Sequence, residues 1–338
     1  MIDPLKDILS RPLRDLRISV TDRCNFRCTY CMPKELFGRD YHFLPKSEIL
    51  SFEEITRLSQ IFITLGVEKL RLTGGEPLLR KNLPELISML HGLEGLRDLT
   101  LTTNGSLLAS QAAALRNAGL QRLTVSLDSL DETRFAAMND VDFPLSRVLA
   151  GINAAVSAGF SPIKINVVVK RGVNEPDVAA IARRFSGKEY IVRYIEFMDV
   201  GNSNGWRLDD VVPADEILQL LHSNSPIETL PPNYPGEVAR RFRHPDGGEI
   251  GIISSVSQPF CGDCSRARLS ADGHLYTCLF SGKGHDLQTP MRAGASDSEL
   301  TEIISRIWRA RTDRYSEIRS DQTNRAPRPK AEMSLLGG

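Results

Sequence analysis

Charge of one sign is not in excess in this 338-residue sequence: Lys plus Arg number 42, and so do Asp plus Glu. No global field therefore draws the chain to nucleic acid or to an anionic membrane, and any hold on a polyanion must come from a local cluster. Long apolar runs are missing as well; none nears the roughly 18 to 20 residues that span a bilayer. The opening Met1-Ile2-Asp3-Pro4-Leu5-Lys6-Asp7 has no apolar h-region, so no secretory signal is expected and the cytoplasm is the expected compartment. Internal repeats and low-complexity tracts are absent. Cysteine is scarce, with six residues in two tight triplets: Cys24, Cys28, Cys31 and Cys261, Cys264, Cys278. A disulfide framework usually occupies a shorter, secreted chain with more even spacing, so the clustering points to metal binding.

Between residues 16 and about 200, short strand patterns alternate with helix patterns. Strands are expected over 16–21, 69–73, 98–103, 122–127, 163–169 and 190–197. Ser51-Phe52-Glu53-Glu54 reads as a capping box, followed by Ile55, Leu58, Ile61, Phe62 and Leu65 at helical spacing. Further helices are expected over 83–90, 107–118, 145–158 and 177–185. Such alternation implies a parallel sheet, either open or curled into a barrel.

Parallel strands covered on both faces read as continuous apolar runs, and these do not. Arg17, Ser19 and Thr21 share one face, and Leu16, Ile18 and Val20 the other. The same split sets Lys69, Arg71 and Thr73 against Leu70 and Leu72, Thr100 and Thr102 against Leu99 and Leu101, and Lys164 and Asn166 against Ile163 and Ile165. If helices cover the apolar face, the polar face lines a partly open barrel with a basic lumen. A sheet with one face in water is the alternative, and it leaves the matched Lys and Arg positions unexplained.

A Pro-rich linker over 222–236 divides the chain into an expected barrel domain, 1–222, and a C-terminal domain, 223–338. The second part holds an expected hairpin, 238–242 with 250–254, and a late amphipathic helix carrying Leu300, Ile303, Ile304, Ile307 and Trp308.

Cys24-Asn25-Phe26-Arg27-Cys28-Thr29-Tyr30-Cys31 has the spacing C-x3-C-x2-C directly after the first strand. Three thiolates can hold three corners of a [4Fe–4S] cube and leave one iron open to a small molecule. Structural zinc wants four ligands. Thr73-Gly74-Gly75-Glu76-Pro77 ends the second strand, where glycines admit a close ligand and a carboxylate can accept from an ammonium. Asn104-Gly105 reads as a strand-ending turn. The second triplet has the spacing C-x2-C-x13-C and again lacks a fourth thiol. Arg266 and Arg268 stand beside it. With Arg17, Lys69, Arg71, Lys164 and Arg193 they make a local cationic funnel suited to a triphosphate.

The C-x3-C-x2-C loop and the Gly-Gly-Glu-Pro segment resemble those of the radical S-adenosylmethionine family. That resemblance implies a partial (β/α)6 TIM-like barrel, a first [4Fe–4S] cluster on Cys24, Cys28 and Cys31, and S-adenosylmethionine contacts at Tyr30, Gly75, Glu76, Ser126 and Met198. With C-x2-C-x13-C and the diglycine end, the whole chain resembles the GTP 3′,8-cyclase family of molybdenum-cofactor biosynthesis. This implies a second [4Fe–4S] cluster on Cys261, Cys264 and Cys278 that meets GTP. It also implies GTP contacts at Arg17, Lys69, Arg71, Thr102, Lys164, Arg193, Arg266, Ala267 and Arg268. Arg17, Arg266, Arg268, Gly337 and Gly338 are the expected catalytic residues, the diglycine tail reaching into the active site. Ser265 departs from the family's usual Asn, and Ala267 from a larger apolar residue; both leave the arginines in place. The partners implied are an electron donor of the flavodoxin or ferredoxin class and a downstream cyclic pyranopterin monophosphate synthase; a homodimer is compatible. Two rivals are a radical enzyme acting on a peptide, which would usually carry more cysteines, and a non-enzymatic zinc or iron–sulfur module, which leaves the Gly-Gly-Glu-Pro segment unexplained.

Overall fold

Alternation along the strands becomes a two-faced sheet in the computed structural model, which describes residues 4–222, 226–234, 236–245, 247–319 and 329–337. The first half runs β1 (Asp15–Ser19), α1 (Phe52–Thr64), β2 (Lys69–Thr73), α2 (Leu83–His91), β3 (Asp98–Thr103) and α3 (Leu108–Asn117). It continues with β4 (Arg122–Ser126), α4 (Glu132–Asn139), α5 (Leu145–Ser157), β5 (Ile163–Val169), α6 (Val178–Arg184) and β6 (Tyr190–Glu196). The six strands pair in parallel and in chain order, with a helix at each crossover, as a (β/α)6 part-barrel requires. The capping box at the start of α1 forms in both directions: Glu54 N–H donates to Ser51 Oγ at 3.1 Å, and Ser51 N–H to Glu54 Oε2 at 2.7 Å.

The apolar strand face is the core. Leu16, Ile18, Leu70, Leu72, Leu99, Leu101 and Ile165 are fully buried in one cluster with the helices' apolar stripes. On the opposite face, Arg17, Arg71, Thr102, Ser126, Asn166 and Arg193 line a single cavity. The strands therefore curl around that cavity, and the sheet with a water-facing side is not what forms.

The chain after α7 (Ala214–His222) extends this same sheet. Strands β7 (Glu228–Leu230), β8 (Arg240–Arg243) and β9 (Glu249–Ile253) add at β6; β8 and β9 are the expected hairpin, and β9 lies parallel to β6. At the other edge β10 (Arg266–Leu269) lies parallel to β1, followed by the antiparallel β11 (His274–Tyr276) and β12 (His285–Asp286). Antiparallel strands thus flank the parallel series on both sides, and the barrel stays open. Then come α8 (Gln288–Arg292), α9 (Asp297–Arg309), whose Leu300, Ile304 and Trp308 are buried, and α10 (Met333–Leu336) in the tail.

Strand ends differ from expectation by one or two residues. α4 was not expected because its hydrophobic anchors are only Phe135 and Met138, too few to show a period. Nor was β10, whose Arg-Ala-Arg-Leu becomes a strand by pairing with β1.

Candidate functional site

Both cysteine triplets open on the cavity enclosed by the strands, a volume of about 290 Å³. On one side the cysteine loop and the Gly-Gly-Glu turn are zipped together by their backbones: Gly75 N–H donates to Thr21 C=O and Glu76 N–H to Arg23 C=O, both at 2.8 Å. A methyl group at Gly75 would stand 2.3 Å from Arg23 C=O, so only glycine permits this approach. Glu76 itself is fully buried, and its oxygens accept from Leu78 N–H (3.0 Å), Thr103 Oγ1 (2.7 Å) and Asn104 N–H (2.7 Å). The carboxylate thus fixes the turn, and Gly74 and Gly75 line the cavity. Burial raises Glu76 to about 7.

Asn104 is more than a strand-ending turn. Its amide donates to Asn25 Oδ1 at 3.0 Å and reaches Cys24 Sγ at 3.8 Å, tying the end of β3 to the cysteine loop. Asp128, one β/α unit further, was also missed. It lines the cavity and accepts from Tyr30 Oη at 2.6 Å and from Val168 N–H at 2.8 Å, and burial raises it to about 6. The Tyr30 hydroxyl is thus committed to Asp128. Ser126 and Met198 also line the cavity. The signal for Asp128 was its place at the C-terminal end of a barrel strand, where such folds carry their sites.

Across the floor the register brings the cations side by side: Arg268 opposite Arg17, and Arg17 opposite Arg71. Arg71 donates to Thr102 Oγ1 (3.1 Å) and Thr124 Oγ1 (3.2 Å), and Arg193 to Asn166 Oδ1 (3.0 Å). Gly251, opposite Arg193, leaves the room that side chain occupies. Burial, then Arg268 and Arg71, pushes Arg17 well down, and burial with Arg193 holds Lys164 at about 6. The guanidiniums stay charged, so these directions report a cluster of cations short of anions. Asp15 is the carboxylate among them; against its burial, Lys69 and the arginines hold it at about 2. Arg17 Nε and Arg71 Nε are buried without a hydrogen-bond partner among the described residues.

Three expected contacts sit off the cavity. Lys69 turns to Asp15 at 3.2 Å. Lys164, paired with Thr124 across β4 and β5, is not among the lining residues. Ala267 points its methyl into the hydrophobic core beside Leu16, so only its backbone is on the site's strand. Ser265, the other departure, uses its carbonyl to accept from Arg14 N–H and Asp15 N–H.

On the far side, Arg266 Nη2 donates to Cys264 Sγ at 3.3 Å. Burial alone would raise the Cys264 thiol, but Arg266 and Arg311 outweigh it and hold the group at about 6, whereas burial pushes Cys24 and Cys278 up to about 12. The tail runs from this side, where Lys330 lies over Phe280, to the glycine turn on the other. Lys330 Nζ reaches Asp199 Oδ2 at 2.7 Å, and Asn202 N–H donates to Glu332 Oε1 at 3.1 Å. Gly337 (φ +70°) then lies where a Cβ would be 2.4 Å from Thr73, and its carbonyl accepts from Arg268 Nη1. Gly338 lies outside the described residues.

Comparison with known proteins gives these features a family. The Radical SAM superfamily pattern matches residues 18–185, and the Molybdenum Cofactor Synthesis C pattern residues 190–317. A GTP 3′,8-cyclase of Acidothermus cellulolyticus is 55% identical over 362 residues, covering 100% of both chains. The chain belongs to the GTP 3′,8-cyclase family. Family members from Staphylococcus saprophyticus (50% identical, 100% of both chains) and Xanthomonas campestris (52%, 99% of this chain and 98% of that one) are similar over the same extent. Among solved structures, Streptococcus suis SuiB bound to S-adenosylmethionine superposes with a TM-score of 0.62 at 13% identity, over 92% of this chain and 68% of that one, and shares the fold. The donor set suits what a radical S-adenosylmethionine enzyme of the GTP 3′,8-cyclase family holds. It comprises three thiols at each end, a glycine cradle closed to any Cβ, and between them guanidinium N–H groups without a partner among the described residues.

Proposed function

We propose that this chain converts GTP to (8S)-3′,8-cyclo-7,8-dihydroguanosine 5′-triphosphate, the first step of molybdenum-cofactor biosynthesis. The observation that carries the reading is a single cavity with three thiols at each end and surplus cations between them. Cys24, Cys28 and Cys31 hold one [4Fe–4S] cluster, and Cys261, Cys264 and Cys278 a second, each with an iron left for a small molecule. When bound, the first cluster with S-adenosylmethionine supplies a carbon radical able to take hydrogen from a ribose, chemistry no side chain here provides.

The chain's own residues bind, orient and enclose. The backbone of Gly74 and Gly75, with Ser126 and Met198, seats S-adenosylmethionine, and Glu76 holds that backbone in place through its three donors. Arg17, Arg71, Arg193, Arg266 and Arg268 take the triphosphate, their N–H groups pairing with its oxygens. The guanine base then faces the second triplet. Arg268 also anchors Gly337, so the residue that meets substrate charge closes the site. Enclosure keeps water and oxygen from a reactive carbon centre. A one-electron donor of the flavodoxin or ferredoxin class feeds the first site, and a cyclic pyranopterin monophosphate synthase takes the product.

The test is an anaerobic incubation with dithionite, S-adenosylmethionine and each nucleoside triphosphate in turn. GTP alone should yield an isomer of itself, with equal amounts of 5′-deoxyadenosine and methionine. Deoxyadenosine with no nucleotide consumed, or equal conversion of ATP, would count against the reading.

A further inference from the structure

Behind the second triplet lies a group of buried charges that the reading above does not use. Asp7, with a fully buried side chain, accepts from Leu9 N–H and Arg11 N–H through Oδ1, each at 2.9 Å, and from Arg11 Nε through Oδ2 at 2.6 Å. Arg11 is 1% exposed although it sits in the N-terminal segment. Its Nη1 spans 250 residues of sequence to donate to Cys261 C=O at 3.0 Å, and also donates to Asp313 C=O at 2.6 Å. Arg311 Nη1 does the same for the next cysteine, donating to Cys264 C=O at 2.7 Å. Two guanidiniums therefore hold the C-x2-C loop by its backbone.

Arg11 Nη2 is different. It is buried with no hydrogen-bond partner among the described residues, while Arg11 lines the cavity together with Cys261, Cys264 and Cys278. A guanidinium carries five donors and no acceptor, and Nε and Nη1 use up three of them on Asp7, Cys261 and Asp313. Pinned at those points, the side chain cannot swing Nη2 to water, and leaving a charged donor buried and unpaired is costly. An acceptor within the cavity that Arg11 shares with the three cysteines would satisfy it.

We propose that Arg11 is a positioning residue of the second metal site: Nη1 sets the Cys261 loop, and Nη2 donates to a sulfur of the group those three cysteines hold. This rests on the two-cluster reading. A hydrogen bond to cluster sulfur stabilises the reduced, more negative state and so raises the potential.

The test is a redox titration of both clusters in the anaerobically reconstituted native chain and in Arg11→Lys and Arg11→Met, followed by electron paramagnetic resonance. Lysine keeps the charge but lacks the Nη2 donor, so both variants should shift the second cluster's reduction equilibrium at least tenfold toward the oxidised form, 59 mV for one electron. The first cluster should not move. A loaded second cluster with an unchanged potential in both variants would overturn the proposal, with a buried water as the acceptor instead. If a variant fails to hold iron at the second site, thermal midpoints of the iron-free chains decide, read in Arg11→Met combined with Asp7→Asn so that no buried carboxylate is left unpaired. A midpoint equal to that of the iron-free native chain supports the assignment, and a large drop marks Arg11 as a residue of the fold alone and overturns it. A native chain that loads only about four irons refutes the two-cluster reading itself, before any variant is compared.

Discussion

Substituting Gly75 by alanine tests how closely the two N-terminal motifs must fit. The added Cβ would lie 2.3 Å from Arg23 C=O, 2.5 Å from its carbon and 2.9 Å from Asp22 C=O. All three are backbone atoms, so none can rotate aside. Relief to an ordinary contact of 3.4 Å needs a shift of about 1 Å, which takes the 2.8 Å bonds of Gly75 and Glu76 beyond hydrogen-bond length. Two lost bonds at about 1 kcal/mol each, with overpacking of about 1–3 kcal/mol, predict a stability loss of about 3–5 kcal/mol. The same shift moves the backbone that seats S-adenosylmethionine, and about 1 Å of misplacement lowers a rate by about a hundredfold. The assay is 5′-deoxyadenosine formation under dithionite, in chains matched for iron content. A rate within about threefold of native, with an unchanged thermal midpoint, would refute the argument.

Arg71→Ala removes the donors to Thr102 and Thr124 and a central lumen cation; GTP affinity should fall about ten- to a hundredfold by calorimetry, with S-adenosylmethionine affinity unmoved. Gly337→Ala places a Cβ against Thr73 at a positive φ, so the tail should leave Arg268 and cyclisation should fall at least tenfold, read as product per 5′-deoxyadenosine. Burial raises Glu76 from 4.5 to about 7, so the folded chain holds that proton more tightly than the unfolded one. Its contribution to stability is full below about 4.5 and is lost as the pH rises through about 7. Glu76→Gln should flatten that slope in thermal midpoints measured across the range.

What the sequence disclosed followed from local regularity. A two-residue period put Arg17, Arg71, Thr102 and Arg193 on one face, and the same face lines the cavity. Cysteine spacing marked both triplets. What stayed hidden depends on partners far away in the chain. Glu76 is held by Thr103 and Asn104 at the end of β3, donors that its own Gly-Gly-Glu-Pro segment does not announce. The pairing of Lys69 with Asp15 depends on the β1–β2 register, which no local pattern gives. Arg11 gave no signal beyond its spacing from Asp7, since the backbone carbonyls it holds stand 250 and 302 residues away. Asp128 had a positional cue, the end of a barrel strand, but no motif around it.

Direct binding of GTP to an iron of the second cluster, as proposed above, is open to a single spectroscopic measurement. In a variant whose Cys24, Cys28 and Cys31 are replaced by alanine, only that cluster remains, and its Mössbauer spectrum can be recorded with and without GTP. One iron in four should change its isomer shift when GTP is added. A spectrum that GTP leaves unaltered, in a chain that still binds the nucleotide, would contradict it.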